Sequence, residues 1–445
     1  MSPRRSELLR TTWALAWPVI LSFSIESLVG LCDTVMVGRL GSAAVAAVGV
    51  GTQILSGVNV TLFAVGTGSL AVVARHVGAG EIRAAEETLL QAILAAAVVS
   101  LAVIVPVEVW APQVVALFRV DAAVVTAGAA FVRAVMLEVP AAATVFVIAT
   151  GLRAAGDTRT PLLIGAVVGT LNVALAYVLI FGHAGLPALG VVGAGIATVV
   201  AFSTGAALGL VLLVRGSLRL RLRRSVPLVR LDVVRRVLRI GYPAAIEQAM
   251  MQLGFVVYIV FASGYGTAAV AAYFIGVRIL ALSFLPGLGF AAAAGTIVGQ
   301  SLGAGRSNEA ERGGWTALQL CLALMTAAGM AIFAAARPIA RVFVDDPLVI
   351  ADAVDFIRVL AVAQPLMAVD YALGGALRGA GDTRFPLWTV LLGFYLCRLG
   401  FAWVATAVLH ADVVWVWAAL LGDYAARATL KSWRFRSGVW KHARV

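Results

Sequence analysis

The sequence predicts an all-α integral membrane protein, with twelve transmembrane helices in two six-helix, pseudo-symmetric lobes. Two observations carry that prediction. Of 445 residues, 62% are hydrophobic and 13% are charged, where a soluble domain carries about 25% charge, and the mean hydropathy is +0.98. The chain also repeats itself at a constant offset of 225 residues.

The apolar residues gather into stretches of about 20 or more, enough to cross a bilayer at 1.5 Å per residue. They fall at 12–38, 45–75, 86–112, 122–152, 160–181, 188–214, 240–262, 268–302, 312–335, 347–377, 385–409 and 411–430. Hydrocarbon offers the backbone no partners, so each stretch is expected to be a helix. Those longer than a bilayer needs are expected to tilt or project beyond it. A basic flank precedes the first stretch, as in a signal peptide. That stretch is too long for a signal's apolar region and holds Glu26 and Asp33, so it reads as a retained span.

Lys and Arg distribute unequally between the two sides. With the N-terminus inside, 26 of the 34 fall on the cytoplasmic side, four on the other (Arg39, Arg119, Arg337, Arg341) and four within spans (Arg133, Arg278, Arg358, Arg398). Basic loops stay cytoplasmic, so both termini are expected inside a multi-pass protein of the cell membrane. The net charge of +12 is then a topology signal, and nucleic acid is not an expected partner. The connection 215–239 holds nine of these residues. It reads as a solvated linker that enforces orientation, with binding to anionic lipid headgroups as the second reading. Cys32, Cys321 and Cys397 lie in apolar spans and the four histidines are scattered. Neither disulfide framework, metal site nor cofactor is predicted.

The repeat is detailed. Residues 152–161 (LRAAGDTRTP) and 377–386 (LRGAGDTRFP) agree at eight of ten positions. At the same offset GSAAVAA (41–47) faces GTAAVAA (266–272), Gly-Ala-Gly recurs at 78 and 303, and Pro18, Arg133 and Pro140 face Pro243, Arg358 and Pro365. Six helices are an even number, so both halves enter the membrane from one side and are related by an axis along its normal. The expected organisation is an N-lobe over 1–214, the basic connection 215–239 and a C-lobe over 240–445. A monomer is expected, with a cleft between the two like bundles, the geometry of alternating access.

These residues carry a resemblance. The chain is similar along nearly its whole length to the multidrug and toxic compound extrusion (MATE) family, on LCDTVMVGRLG (31–41), GVVGAGIAT (190–198), VGQSLGAG (298–305) and the two LR-x-AGDTR-x-P segments. The resemblance implies a secondary antiporter that exports small organic, cationic and lipophilic compounds, driven by inward H⁺ or Na⁺, and not an enzyme.

Charge inside a membrane is costly, so carboxylates within spans are candidate sites. Asp33 matches the family's first-helix Asp and is the leading ion-coupling candidate, since an acid in apolar surroundings can exchange a proton near neutral pH. Glu26, two turns earlier, falls on the same face about 10 Å away. Asn172 matches a fifth-helix Asn of the family and is expected to hydrogen-bond Asp33. Some members carry an Asp where this chain has Ala176, which weakens a two-aspartate relay here.

In the C-lobe, Glu247 and Asp370 lie near the acids of the NorM-type branch, whose own positions hold Met251 and Met367. With Arg398 they form a candidate second ion or substrate site, by sharing a cation or pairing with the arginine. Glu138 has no family counterpart. Pro140 and Pro365 lie mid-helix and are expected to kink it, as hinges or as static bends. The glycine-containing LR-x-AGDTR-x-P segments read as turns capped by Asp or Thr. A lipid-linked precursor flippase is the rival reading, though it would line its cavity with more arginine than these spans contain.

Overall fold

The chain is described by a computed structural model over residues 3–216, 218–222, 229–443 and 445, with side chains from Ser6 onward. Arg223 and Arg224 of the basic connection, and Arg444 of the tail, lie outside the described residues. All regular structure among the described residues is helical. The spans are α1 (Pro3–Gly38), α2 (Ser42–Gly78), α3 (Ile82–Val109), α4 (Ala122–Met136 with Val139–Ala154), α5 (Arg159–Phe181), α6 (Gly190–Arg215), α7 (Leu231–Ser263), α8 (Thr267–Ser283 with Leu285–Gly303), α9 (Ser307–Ala334), α10 (Pro347–Ala380), α11 (Arg384–Val408) and α12 (Val413–Arg436). Nine of them are long and apolar enough to cross a membrane, and the bent α4 pair makes a tenth. At 34 and 24 residues, α10 and α12 are also long enough to cross. They carry most of the buried charge of the second half.

By contact the residues sort into two compact units: 21–245, and 1–20 with 246–445. In the first unit α2 and α7 meet at glycine. A Cβ on Gly241 would stand 1.7 Å from the Ala64 carbonyl oxygen, and one on Gly68 would stand 2.0 Å from that of Val237. In the second unit the same device joins α8 to α10. Cβ atoms on Gly375 and Gly379 would stand 2.2 and 2.1 Å from the carbonyl oxygens of Ala291 and Gly295. Pairs of small residues four apart let two backbones touch, which is how helices associate where lipid supplies no hydrophobic drive.

The repeated turns are built alike. Gly156 and Gly381 take φ of 88° and 89°, a left-handed conformation that favours glycine. Asp157 and Asp382 each donate a backbone N–H across the turn, to the oxygens of Leu152 and Leu377 at 2.9 Å. Asp157 caps α5, its Oδ1 accepting from the Thr160 N–H at 3.0 Å and its Oδ2 from the Thr160 hydroxyl at 2.6 Å. Asp382 has another partner, accepting from Arg434 Nε at 2.8 Å.

The repeated prolines diverge further. At Pro140 the helix breaks and bends by 45°, whereas Pro365 lies inside the continuous α10. The two repeat-equivalent prolines thus sit in different local structure, an interruption at Pro140 and an unbroken helix at Pro365. The ring of Pro140 removes one donor from the ladder, and residues 137–138 separate the two segments there. The second half has its irregularity in α11, which is π-helical over Leu391–Leu399 and again over Val404–Val408.

Candidate functional site

The first unit gathers four polar side chains from four helices. Asp33 comes from α1, Asn172 from α5, Thr198 from α6 and Glu138 from the break in α4. In the orientation its neighbours require, the Asn172 amide nitrogen donates to Asp33 Oδ1 and Oδ2 at 3.1 and 3.2 Å, and its oxygen accepts from the Thr198 hydroxyl at 3.0 Å. Asn172 is buried, so its amide is held between these two partners and fixes how the carboxylate is presented.

Glu138 is buried, and its Oε2 has no hydrogen-bond partner. It lies close enough to Asp33 for the two charges to act on each other. The α4 break is what turns it inward. Its N–H donates to Val135 O at 3.0 Å, while its carbonyl accepts from the Ala142 N–H at 2.8 Å and starts the next segment. Sequence reasoning saw Glu138 but gave it no partner, because the bend that turns it toward Asp33 leaves no spacing pattern. Ala176 is buried, so the second carboxylate of this cluster is supplied by α4 instead of α5.

Glu26 does not join this group. Its side chain is exposed and its electrostatic partner is Arg153, whose guanidinium lies 5.5 Å from the Phe23 ring centroid. Arg153 belongs to the repeated LR-x-AGDTR-x-P segment. Its equivalent, Arg378, donates from Nη2 to Glu247 Oε1 at 2.6 Å. Each repeat therefore turns the same motif arginine toward an acid on the first helix of its own half. Glu26 and Glu247 are offset by one turn in the repeat, so aligned positions conceal the correspondence.

The expected second-lobe site is rearranged. Asp370 is buried between two cations: Arg427 binds it through Nε at 3.2 Å and Nη2 at 2.5 Å, and Lys431 Nζ lies 2.5 Å from Oδ1. Arg398 is not its partner. It stands 3.7 Å from Asp423 inside a cage of Phe255, Tyr258 and Phe394, 4.3 to 5.3 Å from their centroids. Met251 touches Arg427, with Sδ at 3.7 Å from Nη1. Arg427 and Lys431, counted from the sequence among the basic residues of the cytoplasmic side, are buried at 4% and 1% exposure and belong to the helix. Asp423, Arg427 and Lys431 are spaced four apart on α12, one face of a helix. That spacing was the available signal. Glu247, Asp370 and Asp423 are thus matched by resident cations, and a cation from solution would have to displace one of them.

Twelve membrane helices that repeat in two halves, with hydrogen-bonded acids inside, define a membrane transporter of the two-lobe kind. The MatE family profile matches residues 18–178 and 243–404, and its two stretches begin at the repeat-equivalent Pro18 and Pro243. The chain belongs to the MatE family, whose members are transporters and not enzymes. It is 28% identical to the "Probable multidrug resistance protein NorM" of Thermotoga maritima over 445 residues, covering 99% of this chain and 94% of that protein. It is 30% identical over 418 residues to the protein of the same name from Deinococcus radiodurans, covering 92% and 91%. Among solved structures, a MOP superfamily transporter from Pyrococcus furiosus has the same fold. Its TM-score is 0.90 at 20% identity, over 97% of this chain and 96% of that one.

Proposed function

We propose that the chain is a secondary active multidrug antiporter of the cell membrane, with both termini cytoplasmic, acting as a monomer. It exports small organic, cationic and lipophilic compounds in exchange for inward H⁺, and Asp33 is the residue that carries the exchange. One observation carries this reading. Among the described span acids, Asp33 is hydrogen-bonded by the neutral Asn172 and lies within electrostatic reach of Glu138, while Glu247, Asp370 and Asp423 are matched by arginine and lysine. Two carboxylates without a resident cation balance their charge by taking up a proton or a cation. A proton is favoured over Na⁺ because, among the described residues, Asp33 and Glu138 belong to no group of three or more acidic or other ligating side chains that could hold a metal ion, and a carboxylate in apolar surroundings exchanges a proton near neutral pH.

Coupling follows if the proton and the drug favour different states of the transporter, since equal affinity for both states would move nothing. Reconstituted protein loaded with a fluorescent lipophilic cation tests the ion. Efflux should follow an imposed pH gradient at zero Na⁺ gradient. Efflux that follows only a Na⁺ gradient would contradict the assignment.

A further inference from the structure

The second unit holds a pocket that the transport reading does not use. It encloses about 480 Å³ between the short helix Ala336–Phe343 and the start of α10, and is lined by Arg337, Arg341, Asp345, Asp355 and Arg358. Arg337 and Arg341 are four residues apart and so share a face of their helix. None of the three guanidiniums is ion-paired among the described residues. Arg358 lies over the Phe333 ring at 5.5 Å.

The placement is unusual for a membrane protein. Only four basic residues fall in the loops opposite the termini, and two of them line this pocket. Basic residues are depleted on that side unless something holds them there. The repeat sharpens the point. Arg358 faces Arg133, which donates to the Glu108 carbonyl at 3.4 Å, but Arg337, Arg341, Asp345 and Asp355 face Pro112, Ala116, Val120 and Ala130. The shared frame does not require this group.

We propose that the pocket binds a phosphate ester, as the headgroup of a membrane phospholipid. Three arginines against two carboxylates leave one positive charge, which a single phosphodiester neutralises, and planar guanidiniums match phosphate oxygens in pairs. The carboxylates suit the hydroxyl or ammonium groups beyond the phosphate. Phe333 and Met330 before the pocket, with Val342 and Leu348 on its own segment, are exposed apolar side chains, a surface for acyl chains at headgroup level.

Native mass spectrometry of the full chain in detergent tests this, using phosphatidylglycerol, diacylglycerol, and phosphatidylglycerol with excess free glycerophosphate. Wild-type protein should retain phosphatidylglycerol but not diacylglycerol. The R337Q/R341Q/R358Q variant should lose that retention, and Arg341→Gln alone should weaken it about tenfold. Arg119→Gln, on the same side but outside the pocket, should retain it. Displacement by glycerophosphate would assign the affinity to phosphate alone, and its failure would assign the site to the whole lipid. Arg341→Gln with undiminished retention, or equal loss in Arg119→Gln, would overturn the proposal even if the triple variant misfolds.

Discussion

Arg427 lays its guanidinium along the Asp370 carboxylate, Nη2 to Oδ2 at 2.5 Å and Nε to Oδ1 at 3.2 Å, with both side chains buried. Removing one member of such a pair leaves charge uncompensated. Asp370→Asn should cost about 3–5 kcal/mol, read as a lower unfolding temperature in detergent. The apolar variant D370L/R427M/K431M should unfold at a higher temperature than Asp370→Asn, because hydrophobic replacement of a buried ion cluster is tolerated better than breaking it. The reverse order would show that the cluster is stabilising in itself.

The motif arginines give a second contrast. Glu247 is buried, and its Oε2 has no hydrogen bond to fall back on. Arg378→Gln should therefore destabilise the protein by roughly 3 kcal/mol. Arg153→Gln should destabilise it less, because Glu26, unlike Glu247, is not closed in by the protein around it. Equal losses in thermal unfolding would contradict this difference between the halves.

Close backbone contact makes a third prediction. Gly375→Ala places a methyl 2.2 Å from the Ala291 carbonyl oxygen, and no flexible side chain is there to move aside. A loss of about 1–3 kcal/mol is expected. Gly57→Ala in α2, where an added Cβ meets nothing within 4 Å, should be neutral or slightly stabilising. Expression and thermal unfolding of the two variants check the pair.

Glu138 provides the fourth. Glu138→Gln keeps the shape and removes one of the two facing acids. Efflux driven by a pH gradient should fall severalfold, while Leu137→Ala, whose exposed side chain adjoins it in sequence, should leave efflux near wild type. A Glu138→Gln variant with wild-type efflux and proton uptake would remove Glu138 from the coupling site.

Much of the frame was legible because the membrane imposes it. Long apolar runs must be helices, and the 225-residue offset fixed which turns and glycines correspond, as Gly156 and Gly381 show. The Asp33–Asn172 contact was also readable, through resemblance. What escaped depended on three-dimensional approach. Pro140 and Pro365 hold equivalent places in the repeat, yet only one breaks its helix. Glu138 acquires a partner only through that break. Arg427 and Lys431 look like the start of a basic tail until α10 brings Asp370 against them. Arg398 was placed in a span correctly, but its aromatic cage is assembled from α7 and α11, far apart in the chain.

The central claim is that Asp33 carries the proton that drives export. The most direct measurement is efflux of a fluorescent cation from proteoliposomes under an imposed pH gradient, comparing wild type with Asp33→Asn at matched reconstitution. Asp33→Asn should abolish gradient-driven efflux while still binding the cation. Undiminished proton-driven efflux by Asp33→Asn would contradict the account.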